Sequence, residues 1–114
     1  MAMLAIAFRI LPGKTERWKT FVGELGGTRR EAFVESRRRL GVRERTFLQH
    51  TPAGDFVIVT LEGDDPMGAF QQMNEREDEF ARWFRDQAQR AHGVDMTQPM
   101  PGPPPELVAD SGNV

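Results

Sequence analysis

The sequence predicts a single α+β domain in which an antiparallel sheet of order βαββαβ carries helices on one face. Three observations predict it: an apolar run near the N-terminus, two segments with apolar residues at helical spacing, and two short apolar stretches joined by a tight turn. A chain of 114 residues suffices for one such domain and is too short for two. We place the domain at residues 1–97 and a proline-rich C-terminal arm at residues 98–114.

The first strand is predicted at residues 2–11, which are almost continuously apolar up to Arg9. This pattern is typical of a strand that is covered on both faces. No basic segment precedes the run and it is short for a secretion signal, so we interpret it as part of the fold. Pro12 and Gly13 then end the strand.

A helix is predicted from Thr15, which is placed to cap it and is followed by apolar residues at intervals of three and four, namely Trp18, Phe21, Val22 and Leu25. If this helix continued without a break to Leu40, its length would be roughly 39 Å, which is longer than the strands that it covers. The pair Gly26-Gly27 therefore predicts a break, after which Thr28 and Glu31 form a capping box that restarts the helix.

A β-hairpin is predicted at residues 43–50 and 55–62, around the turn of residues 51–54. If His50 faces Asp55, the register follows for the whole hairpin. Leu48 then lies opposite Val57 on one face, and Phe47 lies opposite Ile58 on the other.

The second half of the chain predicts further helix followed by a weak strand. Asp64 or Asp65 before Pro66 is a helix start, a second start is indicated at residues 74–77, and Gly93 is the stop. The fourth strand is expected at residues 94–96, or at residues 107–109 as a short edge strand within the arm.

The sheet face opposite the helices is predicted to be apolar, which is unusual for a lone three- or four-stranded sheet. Ala5, Ala7, Phe47, Phe56 and Ile58 all point to it by strand alternation. A second copy of the chain, related by a two-fold axis, can cover such a face with one self-complementary patch. We therefore expect a homodimer formed through the sheet face.

The same face predicts a ligand site, because small residues lie beside aromatic and polar ones and can leave space between them. The candidate ligand-binding residues are Arg9, Arg45, Phe47, Gln49, Phe56 and Ile58.

The segments FRILPGKTERWKTFVGEL and FARWFRDQAQRAHGVDM, together with this layout, resemble the dimeric α/β barrel superfamily, which has a ferredoxin-like fold. The resemblance extends to about Met96 and is greatest to stand-alone bacterial members of unassigned function. The superfamily includes cofactor-independent monooxygenases, haem-degrading and chlorite dismutase-like enzymes, muconolactone isomerase-like enzymes and stress-response proteins. It therefore implies a fold more than a reaction. No catalytic signature of one branch matches residue by residue, so the resemblance implies no active-site residue.

Composition and motifs exclude several classes of function. A net charge of −2 disfavours nucleic acid as a partner, and the lack of cysteine excludes thiolate chemistry and Cys-based zinc sites. The two histidines lack metal-ligand spacing: His50 is expected to be a solvated hairpin residue, and His92 to cap the last helix as an imidazolium. Phosphate-binding and nucleophile-elbow motifs are missing. We expect a cytoplasmic protein without metal, cofactor or membrane contact.

Two hypotheses for function remain at this stage. The first is binding of a small apolar or aromatic molecule between sheet and helices, with monooxygenase-like or isomerase-like catalysis that needs no cofactor, and with Arg9, Arg45 and Gln49 orienting the molecule. The second is a non-catalytic homodimeric scaffold or interaction protein whose sheet face is only a packed interface.

Overall fold

The protein has an α+β fold, as predicted, and its structure is a computed structural model that describes residues 2–100 and 102–112. Three strands form one antiparallel sheet and four helices accompany it in the described part of the chain. The elements are β1 (Ala2–Arg9), α1 (Thr15–Leu25), α2 (Arg30–Arg39), β2 (Val42–Thr51), β3 (Gly54–Gly63), α3 (Pro66–Glu75) and α4 (Glu79–His92).

The sheet has the strand order β1-β3-β2, so the hairpin strand β3 lies in the centre. The predicted hairpin register is confirmed: His50 pairs with Asp55, and Phe47 pairs with Ile58. β1 runs antiparallel to β3 and pairs Ala7 with Ile58. Residues on alternate faces of the three strands are thereby set in rows across the sheet.

The predicted fourth strand is not formed at either of its two candidate positions. Residues 94–96 lead into a turn, in which the carboxylate of Asp95 accepts hydrogen bonds from the backbone N–H and the hydroxyl of Thr97. Residues 107–109 belong to no strand of the sheet. The prolines at positions 103–105 lack the N–H groups that pairing requires, so β1 has only β3 as a partner in the described part of the chain.

The predicted breaks in both helical segments are confirmed, but three of the predicted caps differ. The side chain of Thr15 does not cap α1; its hydroxyl donates instead to Oδ2 of Asp55 at 2.6 Å. Arg29, not Thr28, holds the N-cap position of α2. The second break is capped by Asp78, beyond the predicted residues 74–77, and Oδ1 of Asp78 accepts from the backbone N–H of Ala81. Asp65 caps α3 as predicted.

The end of α4 requires a glycine. Gly93 has a φ of 71°, in the left-handed region, and its N–H donates to the carbonyl of Gln89. An added Cβ would also approach the side chain of Leu11 at 3.3 Å. The predicted helix stop at Gly93 is confirmed.

The helices pack on one face of the sheet and bury two apolar clusters there. One cluster joins α1 and α4 to the sheet around Trp18, Phe21 and Phe80. The other joins α3 to the sheet around Leu61 and Phe70. The packing of the two clusters leaves a cavity between the sheet and the helices.

Candidate functional site

A cavity of about 280 Å³ lies between the helix-covered face of the sheet and the helices. All three strands and all four helices contribute side chains to its wall. Three of the lining residues, Gly26, Arg30 and Thr46, are exposed, so the cavity reaches the surface, in part near the junction of α1 and α2. Its volume is close to the lower end of the range for small-molecule sites, and fits a ligand of about one or two rings.

The wall of the cavity is mainly aromatic and aliphatic. Phe21 contacts Phe84 edge to face, with ring centroids 5.2 Å apart. Such packing sets rigid rings at defined angles, and rigid rings keep the cavity open at little cost in side-chain entropy. The lining aromatic residues are Phe8, Trp18, Phe21, Phe33, Phe70 and Phe84.

A buried ion pair forms the polar part of the wall between α2 and β2. Nε of Arg37 donates to Oε1 of Glu44 at 2.7 Å, and the two side chains are only 8% and 3% exposed. The guanidinium also lies over the rings of Phe33 and Phe84, at 5.1 and 4.7 Å from the ring centroids. Removing either charge would leave the other buried without its partner.

A second buried arginine, Arg85 of α4, also lines the cavity. Its Nη1 donates to the backbone carbonyls of Met73 and Arg76, at 3.1 and 2.6 Å. Arg85 therefore ties α4 to the end of α3 and holds a positive charge beside the cavity.

His92 lies on the wall at the end of α4, and its contacts differ from those of the imidazolium cap that the sequence predicts. Its ring stacks on Phe8 with centroids 5.2 Å apart, and Nδ1 lies 2.9 Å from the backbone carbonyl oxygen of Arg9. A carbonyl only accepts, so Nδ1 carries the proton and Nε2 is left with a free lone pair in the neutral ring. Burial lowers the pKa of His92, although the bond to Arg9 acts in the opposite direction.

The six residues predicted to bind a ligand come together, but on the other side of the sheet. None of them lines the cavity, since strand alternation directs all six away from the helices. Nη2 of Arg9 donates to the carbonyl of Ala53, and Nη2 of Arg45 lies 3.3 Å from Glu62. A role for this set in ligand binding stays a prediction. The set is Arg9, Arg45, Phe47, Gln49, Phe56 and Ile58.

The polar residues of the cavity escaped the sequence analysis, although a signal for them existed. Glu44 and Thr46 lie between Val42 and Leu48 on the same face of β2, because the four residues follow one another at intervals of two. They therefore occupy positions that face the helices. Arg37 follows Phe33 by four residues and shares its side of α2. Polar residues at core-facing positions are the feature that could have identified this site.

The remaining candidates from the sequence lie outside the cavity. His50 is exposed, as expected, and its Nδ1 lies 2.8 Å from Oδ1 of Asp55. The hydroxyl of Thr15 and the contact with His50 lower the pKa of Asp55. Within residues 2–100 and 102–112, no group of three or more side chains of the metal-binding types comes together, and no helix there has the length and apolar character needed to cross a membrane.

A second, open cleft of about 820 Å³ lies between the edge of β1, α3 and the C-terminal arm. It shares Phe70, Asn74 and Met96 with the wall of the cavity. Pro103, Pro104 and Pro105 form its outer side, while Leu107 and Val108 are exposed beyond it.

No protein-family model, curated protein or solved structure gives a significant match to this chain.

Proposed function

We propose that this protein binds a small aromatic or apolar molecule in the cavity between the sheet and the helices. The observation that carries the proposal is the cavity itself, whose wall combines rigid rings with a few buried polar groups. Apolar walls supply affinity, and a small number of fixed polar groups supply orientation. The hypothesis made from the sequence is retained for the kind of molecule and for its position, while the residues that contact it are different.

A second candidate function, isomerase-like proton transfer without a cofactor, is favoured by the state of His92. A neutral imidazole with its Nδ1–H held by a carbonyl can accept a proton at Nε2. In such a reaction the proton leaves a carbon or hydroxyl of the ligand, resides on Nε2, and returns at another position. We prefer this reaction to a monooxygenase-like one because the cavity wall contains a base.

We further propose that the chain is a homodimer formed through the exposed sheet face, in the manner of the ferredoxin-like dimeric α/β barrels. Phe47 is 52% exposed at the middle of this face, beside Ile58. Arg43 and Glu62 lie opposite each other in neighbouring strands on the same face. A two-fold axis can therefore bring opposite charges of two copies together at the rim of this face. If the cavity binds nothing, this surface favours the alternative function of a non-catalytic scaffold.

Ligand binding is tested with neutral aromatic molecules of one and two rings, such as indole and 2-naphthalenemethanol. Binding should raise the melting temperature, because a ligand at 100 times its dissociation constant adds about 2.7 kcal/mol to the free energy of unfolding. It should also change tryptophan fluorescence, since Trp18 lines the cavity.

A filled cavity provides the control for this test. Ala88 lines the cavity and Gln89, its neighbour on α4, is exposed and does not. We expect Ala88→Phe to abolish binding and Gln89→Phe to preserve it. No binding of any one- or two-ring aromatic compound to the unaltered chain, or equal binding to both variants, would contradict the proposed site.

A further inference from the structure

The charges on the cavity wall are unbalanced. Arg30, Arg37, Arg76 and Arg85 line the cavity, whereas Glu44 is the one carboxylate among the lining residues that the structure describes. Arg76 is matched by Asp78, but that carboxylate lies outside the lining. The wall therefore carries an excess of positive charge, although the whole chain has a net charge of −2.

Arg37 has a hydrogen-bond donor that nothing in the described protein accepts. Its Nε donates to Glu44 and its Nη1 to Oγ of Ser36, at 2.7 and 2.9 Å. Its Nη2 is buried and has no partner within residues 2–100 and 102–112. Buried guanidinium N–H groups are normally paired, because an unpaired one has lost water without replacement. The side chain is 92% buried, as follows from its exposure of 8%, and it lines the cavity.

The neighbours of Arg37 cannot supply the acceptor that Nη2 lacks. The guanidinium lies over the faces of Phe33 and Phe84, which attract a cation but carry no lone pair for an N–H group. Oε2 of Glu44 is directed to the hydroxyl of Thr46, at 3.5 Å. Arg37 also lines the cavity, so a ligand bound there would lie beside its guanidinium.

Glu44 does not cancel the positive charge of the wall. It pairs with Arg37 alone, while Arg85 donates mainly to neutral backbone carbonyls. The carboxylate nearest to Arg85 is that of Glu77, 3.6 Å away and 73% exposed, so water screens much of its charge. The buried groups of the wall thus comprise two guanidinium ions and one carboxylate.

We propose that the cavity selects aromatic molecules that carry one carboxylate, and that Nη2 of Arg37 donates a hydrogen bond to that carboxylate. The inference rests on the proposed function, since it names the class of molecule that the same cavity takes. The aromatic wall holds the ring, and the unpaired donor with the surplus charge holds the anion. Charge-assisted hydrogen bonds of this kind are among the stronger ones in proteins.

The test compares 2-naphthoate with 2-naphthalenemethanol, which has the same rings but no charge. Calorimetry and tryptophan fluorescence on the full chain should show that the acid binds about tenfold more tightly, or better, at neutral pH. The double variant Arg37→Gln/Glu44→Gln removes both partners, so no lone buried charge remains. We expect this variant to lose the preference for the acid and to keep its affinity for the alcohol.

The matched control is Arg38→Gln/Glu35→Gln, which removes an exposed ion pair from the same helix α2. Each double variant removes one positive and one negative charge and leaves the net charge unchanged, so a general effect of removing an ion pair from α2 would appear in both. We expect the control to keep the wild-type preference for the acid.

The outcomes separate this inference from the proposed function. If neither compound binds, the proposed function fails. If the alcohol binds as well as the acid, the cavity is a ligand site but the carboxylate inference is overturned, and a water molecule at Nη2 accounts for the unpaired donor. The comparison in the unaltered chain decides this even if the double variant does not fold. An acid preference that survives in a folded Arg37→Gln/Glu44→Gln protein also overturns the role of Arg37.

Discussion

At the scale of single residues, the cavity depends on polar side chains placed at positions that would otherwise belong to the core. Arg37 and Glu44 share one short hydrogen bond, from Nε of Arg37 to Oε1 of Glu44. His92 is directed by one carbonyl and one aromatic ring. Each polar group is therefore held by a specific neighbour, and we expect each to respond to the loss of that neighbour.

The first residue-scale prediction concerns the protonation of His92. Burial lowers its pKa in the folded state, so the ring should be neutral at pH 7 and should titrate below the ordinary histidine value of about 6.5. Nuclear magnetic resonance of the His50→Gln variant, which leaves a single histidine in the chain, measures this titration directly. A midpoint above the ordinary value would contradict the proposed proton acceptor.

The same shift makes the stability of the protein depend on pH. Below about pH 6.5 the unfolded chain binds a proton that the folded chain does not, so stability falls as the pH drops toward the folded pKa. Above about pH 6.5 His92 is neutral in both the folded and the unfolded chain, so its protonation no longer lowers stability. His92→Gln keeps a donor for the carbonyl of Arg9, and it should remove this part of the pH dependence in urea titrations.

At the scale of elements, the starts of α3 and α4 are set by the capping side chains of Asp65 and Asp78. Asp78 is the N-cap of α4 and accepts a hydrogen bond at 2.9 Å from the backbone N–H of Ala81. The helix it starts carries Arg85 and His92 to the cavity. A loose start of α4 should therefore disturb both side chains.

The element-scale prediction is that Asp78→Ala lowers the free energy of unfolding by about 1 kcal/mol. This corresponds to a fall of about 4–8 °C in melting temperature for a domain of this size. Asp86→Ala removes a carboxylate that pairs with Arg90 on the surface of the same helix, and should have little effect. An equal loss of unfolding free energy in the two variants would show that the capping hydrogen bond of Asp78 stabilises the fold no more than an exposed ion pair does.

The pH dependence of this cap has a defined direction. The bond from Ala81 lowers the pKa of Asp78 in the folded state, and Arg76 adds to the effect. The stabilisation by the ionised carboxylate of Asp78 is therefore fully present above the aspartate pKa of the unfolded chain, about 3.9. It is lost as the pH falls through the lower pKa of the folded state. The difference in stability between the unaltered chain and Asp78→Ala should accordingly shrink in acid.

At the scale of the whole molecule, the two faces of the sheet have opposite environments. Helices bury Leu4, Ile6 and Leu61 on one face, while Phe47 on the other face is half exposed. A sheet with apolar residues on both faces is unusual unless both are covered. The exposed face is therefore the surface on which we expect association of two copies.

The whole-molecule prediction is that Ile58→Glu yields a monomer. Ile58 lies in the central strand of the exposed face, where a second copy would bury the introduced charge. Light scattering measures the mass, and circular dichroism checks that the fold is kept. Val34→Glu introduces the same charge at an exposed apolar position on α2, and it should leave a dimer intact. A folded Ile58→Glu protein with unchanged mass would count against association through the sheet.

Local pattern was sufficient for most of the architecture. The glycines at positions 26, 27 and 93, the turn at residues 51–54 and the alternation along β2 act through neighbours in the chain, so the breaks, the stop and the hairpin register could be predicted. The predicted cap at Thr15 was wrong because its hydroxyl donates to Asp55, a residue of β3 that is 40 positions away in the chain. The prediction of a fourth strand was wrong because strand pairing at the edge of a sheet depends on long-range packing, which the local sequence pattern does not contain.

The sequence by itself determined the α+β class, the order of the first elements and the apolar character of both sheet faces, since these follow from spacing and burial preference. Only the tertiary structure decided which face holds a cavity and which residues line it. The reason is that Arg37, Glu44, Arg85 and His92 come from three separate elements, α2, β2 and α4. The carbonyl of Arg9 that binds His92 lies 83 positions away in the chain. The proposed ligand site therefore lies on the side of the sheet opposite to the six residues predicted from strand alternation.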